Sequence, residues 1–186
     1  MKRTLLIIAF CVTAGPVLAQ QQGHHGHGAH HQGTQHAQPY AGQDARAITS
    51  LSDEDIAGYR AGRGMGLAKP AELNGFPGPM HVLELAEDLQ LSEAQRKDVQ
   101  SSFDRMIVRA QKAGDAYIAA ERALDNLFRS SAMPSAEDLK RHVEAAELAQ
   151  AEVRRAHLDA HLEVAPLLTA DQRRRYAELR GYATKP

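Results

Sequence analysis

Residues 91–129 read LSEAQRKDVQSSFDRMIVRAQKAGDAYIAAERALDNLFR, and this stretch decides the fold. Ser92 stands where a helix N-cap belongs, with Gln95 three residues on as its capping-box partner. Apolar or small residues then recur at Val99, Phe103, Met106, Ala110, Ala113, Tyr117, Ala120, Leu124 and Leu127. The steps alternate between four and three residues, which is a heptad seam. The spacing predicts one long helix from Ser92 to about Arg129.

Moving outward, Ser130 to Pro134 reads as a turn, and Ser135 caps a second long helix with Asp138 three residues later. That helix carries Leu139, Val143, Ala146, Val153, Ala160 and Val164 on a similar seam until Pro166 ends or kinks it. Thr169 caps a final helix with Gln172 at its third position, ending near Gly181. On the other side, Pro79 suits a first helical position, and Met80 to about Leu89 reads as a short helix. The expected architecture over 79–182 is all-α: a long antiparallel helical hairpin with a short helix on each side. Its Ala-rich seam cannot enclose a thick core, so the flanking helices or a second copy must cover the remaining apolar face. A homodimer is expected.

Composition narrows the function. The chain has 186 residues, a formal charge of −1 and no Trp. A nucleic-acid binder needs a strongly basic face, which argues against that class. The single cysteine, Cys11, excludes an intramolecular disulfide framework and a Cys-cluster metal site. Residues 1–19 read as a secretory signal peptide: Lys2 and Arg3 lead an apolar run from Leu5 to about Val12, Gly15 and Pro16 break it, and cleavage is expected after Ala19. The run is too short to span a bilayer stably, and the periplasm is the expected compartment. Residues 20–48 are Gln-, Gly- and His-rich and too poor in large apolar side chains to offset the entropy of ordering, so a disordered tail is expected. Within 49–78, Ser50 or Ser52 starts a short helix to about Ala61, and a Gly- and Pro-rich loop follows.

Two segments now stand together: Leu91-Ser92-Glu93-Ala94-Gln95 and Leu168-Thr169-Ala170-Asp171-Gln172. A pair of LTxxQ-like motifs bracketing a helical hairpin behind a signal peptide resembles the Spy/CpxP superfamily of periplasmic proteins. That family includes ATP-independent chaperones, envelope-stress regulators and heavy-metal sensors of the CnrX type. The resemblance covers about 79–182, and the first copy departs from it by Ser92 in place of Thr, which keeps the capping hydroxyl. Each motif reads locally as a cap: the hydroxyl serves an exposed amide, the Gln (Gln95 or Gln172) reaches back, and the Leu (Leu91 or Leu168) packs beneath. Such a cap is worth roughly 1 kcal/mol.

The ten histidines carry the remaining chemistry. His24, His25, His27, His30, His31 and His36 crowd the tail, where neutral imidazoles can capture metal weakly above about pH 6. His157 and His161 lie one turn apart on the second long helix, a recurrent half-site for Zn, Cu, Ni or Co. With the turn centred at residue 133, the hairpin sets Asp104 or Met106 opposite His161. His81 and Glu84 reach the same end if the short helix folds back. The resemblance implies a metal site there, with His81, Asp104 and His161 as the best matches; the family's second first-helix His falls near Leu85 and its late Met near Ala165. His142 reads as an ordinary polar residue. The chain lacks HExxH, ExxH, a P-loop and GxGxxG, so it reads as non-enzymatic. The functional expectation is a metal-binding protein that senses or buffers a divalent transition metal, alone or with a membrane-bound signalling protein. The alternative is a holdase that grips unfolded protein clients on the hairpin's concave face.

Overall fold

A computed structural model describes residues 39–182. The expected signal segment and the tail histidines His24, His25, His27, His30, His31 and His36 lie outside the described residues. The described chain is all-helical, and its one β-type pairing is an isolated bridge between Ile48 and Leu51. After a 3-10 turn at Gln43–Ala45 come α1 (Asp53–Arg60), α2 (Lys69–Glu72), α3 (Pro79–Glu84), α4 (Glu93–Arg129), α5 (Ala136–Val164) and α6 (Ala170–Leu179). A second 3-10 turn, Ala165–Leu167, carries Pro166 and separates α5 from α6.

Helix starts are set locally. The hydroxyls of Ser52, Ser92, Ser135 and Thr169 each accept from the backbone N–H three residues on, at the heads of α1, α4, α5 and α6. At Ser52, Ser92 and Thr169 the third residue's side chain returns the bond, completing a capping box. The short helix before Ser92 stops at Glu84, earlier than its pattern predicts. Turns continue to Gln90, which sits at φ 51 while Leu91 N–H reaches the Ala86 carbonyl. This left-handed ending re-aims the chain into α4.

Contacts between α4 and α5 run in opposite senses along the two helices. Ser102 and Arg105 meet Glu163, Arg109 meets Asp159, and Tyr117 meets Gln150. The buried face of α4 follows Val99, Ser102, Met106, Ala110, Gly114 and Tyr117, so Phe103 and Ala113 of the expected seam are only half-buried. The shift comes from a third layer. The Tyr59 carbonyl of α1 approaches α4 so closely at Gly114 that a Cβ there would lie 2.4 Å from it. Any larger residue would push α1 off the pair.

That third layer has two parts. Ile48, Leu51 and Tyr59 pack with Tyr117, Ile118 and Val153 at mid-length of the pair, where Tyr59 and Tyr117 meet edge to face. Val82, Leu89, Val99, Val164, Leu168 and Tyr176 form a second cluster at the end remote from the α4–α5 turn. Ile48 is fully buried, and Thr49 bonds Asp125 through both its N–H (3.4 Å) and its hydroxyl (2.5 Å). Placed structure therefore begins well before residue 49, where the expected tail ends. A lone Ile in a polar segment carries no compositional signal; its burial depends on partners more than fifty residues away.

Candidate functional site

At the end remote from the turn, the two capping motifs meet. Gln95 Oε1 accepts from the Ser92 N–H (3.0 Å), and Gln172 Oε1 accepts from the Thr169 N–H (2.9 Å). The same two amides then bond each other, Gln95 Nε2 to Gln172 Oε1 at 2.9 Å and Gln172 Nε2 to Gln95 Oε1 at 3.1 Å. Gln95 also donates to the Leu167 carbonyl, and Gln172 to the Leu89 carbonyl. Each glutamine thus caps its own helix and ties down the chain entering the other's. Leu168 is buried beneath this pair and Leu91 half-buried. The sequence shows the local half of the arrangement; the reciprocal bond is tertiary.

One turn deeper lie His157 and His161, 4% and 8% exposed. Each ring is gripped by backbone from the segment 62–78. His161 Nδ1 donates to the Phe76 carbonyl at 2.6 Å. The His157 ring hydrogen-bonds the Arg63 backbone, and its Nε2 is buried with no hydrogen-bond partner. Burial, reinforced by neighbouring His161, holds the His157 imidazole below its ordinary pKa despite the opposing pull of the Arg63 backbone. At neutral pH it is therefore an uncharged ring with a lone pair. An imidazole fixed through one nitrogen by a backbone carbonyl, with the other nitrogen free, is the arrangement in which histidine ligates metals.

Beside His161 stands a carboxylate, but it belongs to Glu72 and not to Asp104. Glu72 Oε2 is 3.8 Å from His161 Nδ1 and accepts from the Gly78 N–H; Glu72 Oε1 is 3.7 Å from His81 Nδ1. Oε1 also accepts from Tyr176 Oη (2.5 Å) and Tyr182 Oη (3.1 Å), with Arg180 Nε at 3.8 Å. Burial and the Glu72 contact push the Tyr176 phenol far up, so it donates at any ordinary pH. Asp104 is exposed and accepts from Gln100 one turn earlier on its own helix. The register expected across the pair is close, but the helix face is not: Ser102 and Met106 point inward at this level.

The structure thus brings His81 and His161 to one carboxylate and sets His157 one turn away, while Asp104 and Glu84 face solvent. His142 bonds the Asp138 carbonyl of its own helix. Glu72 had no signal in the sequence beyond its place in a Gly- and Pro-rich loop. Among the described residues no group of three or more His, Cys, Asp and Glu side chains converges closely enough to hold a metal. Within the described residues the imidazole pair therefore supplies two ring nitrogens and no third ligand group. Comparison of the chain with family models, curated proteins and solved structures finds no match.

Proposed function

We propose that this is an exported, periplasmic metal-binding protein of the Spy/CpxP type, which senses or buffers Zn, Cu, Ni or Co as a homodimer. In a sensing role it would signal to a membrane-bound partner. The observation that carries the reading is the buried, unpartnered Nε2 of His157 one turn from His161, with both rings oriented by backbone. The six tail histidines would gather metal weakly and raise its concentration near the folded domain. Calorimetric titration of the mature chain from Gln20 tests this against the His157→Gln/His161→Gln double variant, which keeps the tail. The wild type should bind one more metal equivalent at micromolar affinity or better. Equal stoichiometry and affinity in the two proteins would remove the specific site.

A second reading, a holdase for unfolded clients, is favoured by a different observation. Phe128 and Met133 near the α4–α5 turn, and Leu148 farther along α5, are 61%, 93% and 69% exposed, with Leu139 and Val143 partly so. Under this reading the protein suppresses aggregation of a denatured client with or without chelator, and polar replacement of Met133 and Leu148 weakens it. No suppression at equimolar protein would dismiss the holdase.

A further inference from the structure

The two backbone carbonyls that orient the imidazoles come from one segment, residues 62–78. The same segment covers the rings. A Cβ on Gly64 would lie 3.7 Å from His157 Nδ1, and a Cβ on Gly78 would lie 2.8 Å from both Cε1 and Nε2 of His161. Nothing in its own secondary structure makes this segment rigid. It holds only the four-residue α2, too short to be stable by itself. It enters through Gly62 at φ 68, where α1 ends with Arg63 N–H on the Gly58 carbonyl. Leu67 and Pro77 pack inward, but Met65, Leu73 and Phe76 are 38%, 56% and 41% exposed.

A carboxylate in the middle of the segment ties it to the C-terminal helix. Glu72 takes hydrogen bonds from Tyr176 and Tyr182 and lies within ion-pair distance of Arg180, all on or just after α6. Its other oxygen holds the Gly78 N–H, at the far end of the same segment. We propose that residues 62–78 form a lid over His157 and His161, and that Glu72, seated against the C-terminal helix, is its lock. With the lock closed the rings are sealed. With it released the glycines at 62, 64, 66, 75 and 78 let the segment lift, and the His157 Nε2 becomes reachable. This inference rests on the metal-binding reading for its purpose, because a sealed half-site needs a controlled way in. The lock itself is a statement about Glu72 and can be tested without metal.

The test is the rate at which diethyl pyrocarbonate modifies His157 and His161 in the full mature chain, resolved by peptide mass spectrometry. His142, on α5 and outside the segment, serves as the internal reference. Glu72→Gln should speed modification of both buried rings by roughly tenfold or more, since the amide loses the charge facing Arg180 and its NH2 cannot accept the Gly78 N–H, even where its oxygen keeps the tyrosines. Tyr176→Phe/Tyr182→Phe should do the same to a smaller degree, and the exposed Glu84→Gln should do nothing. Amide exchange over 62–78 should rise with the modification rate while exchange at α4 residues near Tyr117 stays slow, which separates lid opening from global unfolding. Unchanged protection of both rings in Glu72→Gln and in the tyrosine pair would overturn the lock. So would loss of protection that spreads equally to α4. A stopped-flow zinc arm then separates the two ideas: faster zinc uptake with loss of protection supports both, and loss of protection with no zinc uptake at the pair keeps the lock and sinks the metal reading.

Discussion

The two ends of the α4–α5 pair are built from similar seams and have opposite fates. Away from the turn, Val99 and Val164 are fully buried and Leu168 is 3% exposed, because α3, α6 and the crossed glutamines cover them. Toward the turn, Leu139 and Val143 occupy the same kind of seam position and are each 39% exposed. Amphipathic pattern therefore decides which residues face the partner helix. It does not decide whether they are buried, because two helices alone leave a seam open to water and a third layer must close it.

The contrast can be broken or sharpened by substitution. The largest difference is expected between Leu168→Ala and Leu139→Ala. The first removes a buried leucine under the capping pair and should cost about 3 kcal/mol in urea denaturation. The second should cost no more than about 0.5 kcal/mol, as exposed substitutions do. Equal costs would mean that the turn end is covered in solution, which a concentration-dependent midpoint would then trace to a second copy. Next in size is the glutamine pair. Gln95→Ala and Gln172→Ala each strand a cap and a cross-bond, about 2 kcal/mol apiece, and a double-mutant cycle should show coupling of about 1 kcal/mol. Additivity would mean that the two caps act independently, as a purely local reading has them.

Mild acid should act first through His157, before the carboxylates titrate. The unfolded His157 ring takes up a proton near pH 6.5, whereas the folded ring, buried and beside His161, resists it. The unfolded chain then binds more protons, so stability falls as pH drops below about 6.5. His157→Gln keeps a donor for the Arg63 carbonyl and should flatten that part of the pH–stability curve; an unchanged curve would assign the loss elsewhere. The smallest effect is expected from the bridges between the long helices. Arg109 and Asp159 pair at 2.7 Å but are 45% and 32% exposed, so Arg109→Ala should change stability by less than about 1 kcal/mol.

Some of this was legible beforehand. The caps at Ser92, Ser135 and Thr169 need only a hydroxyl and a following N–H, both within four residues, while of the two serines offered for α1 the structure uses Ser52. His157 and His161 were legible as neighbours for the same reason, since helical spacing alone places them together. Of the two residues the register set opposite His161, Asp104 lies on the solvent face and Met106 is turned inward, a choice that register alone does not make. Gln172 was visible as a cap and invisible as the partner of Gln95, a residue 77 positions away.

By itself, then, the sequence determined where the side-chain-capped helices begin and that two imidazoles share a turn. These are short-range consequences of backbone geometry, and they survive whatever the rest of the chain does. Only the tertiary structure decided which seam is buried, which nitrogen of each imidazole is spent on backbone, and that Glu72 joins a glycine-rich segment to the last helix. Those outcomes depend on long-range approach, where one carboxylate or one glycine at the right contact outweighs any local propensity.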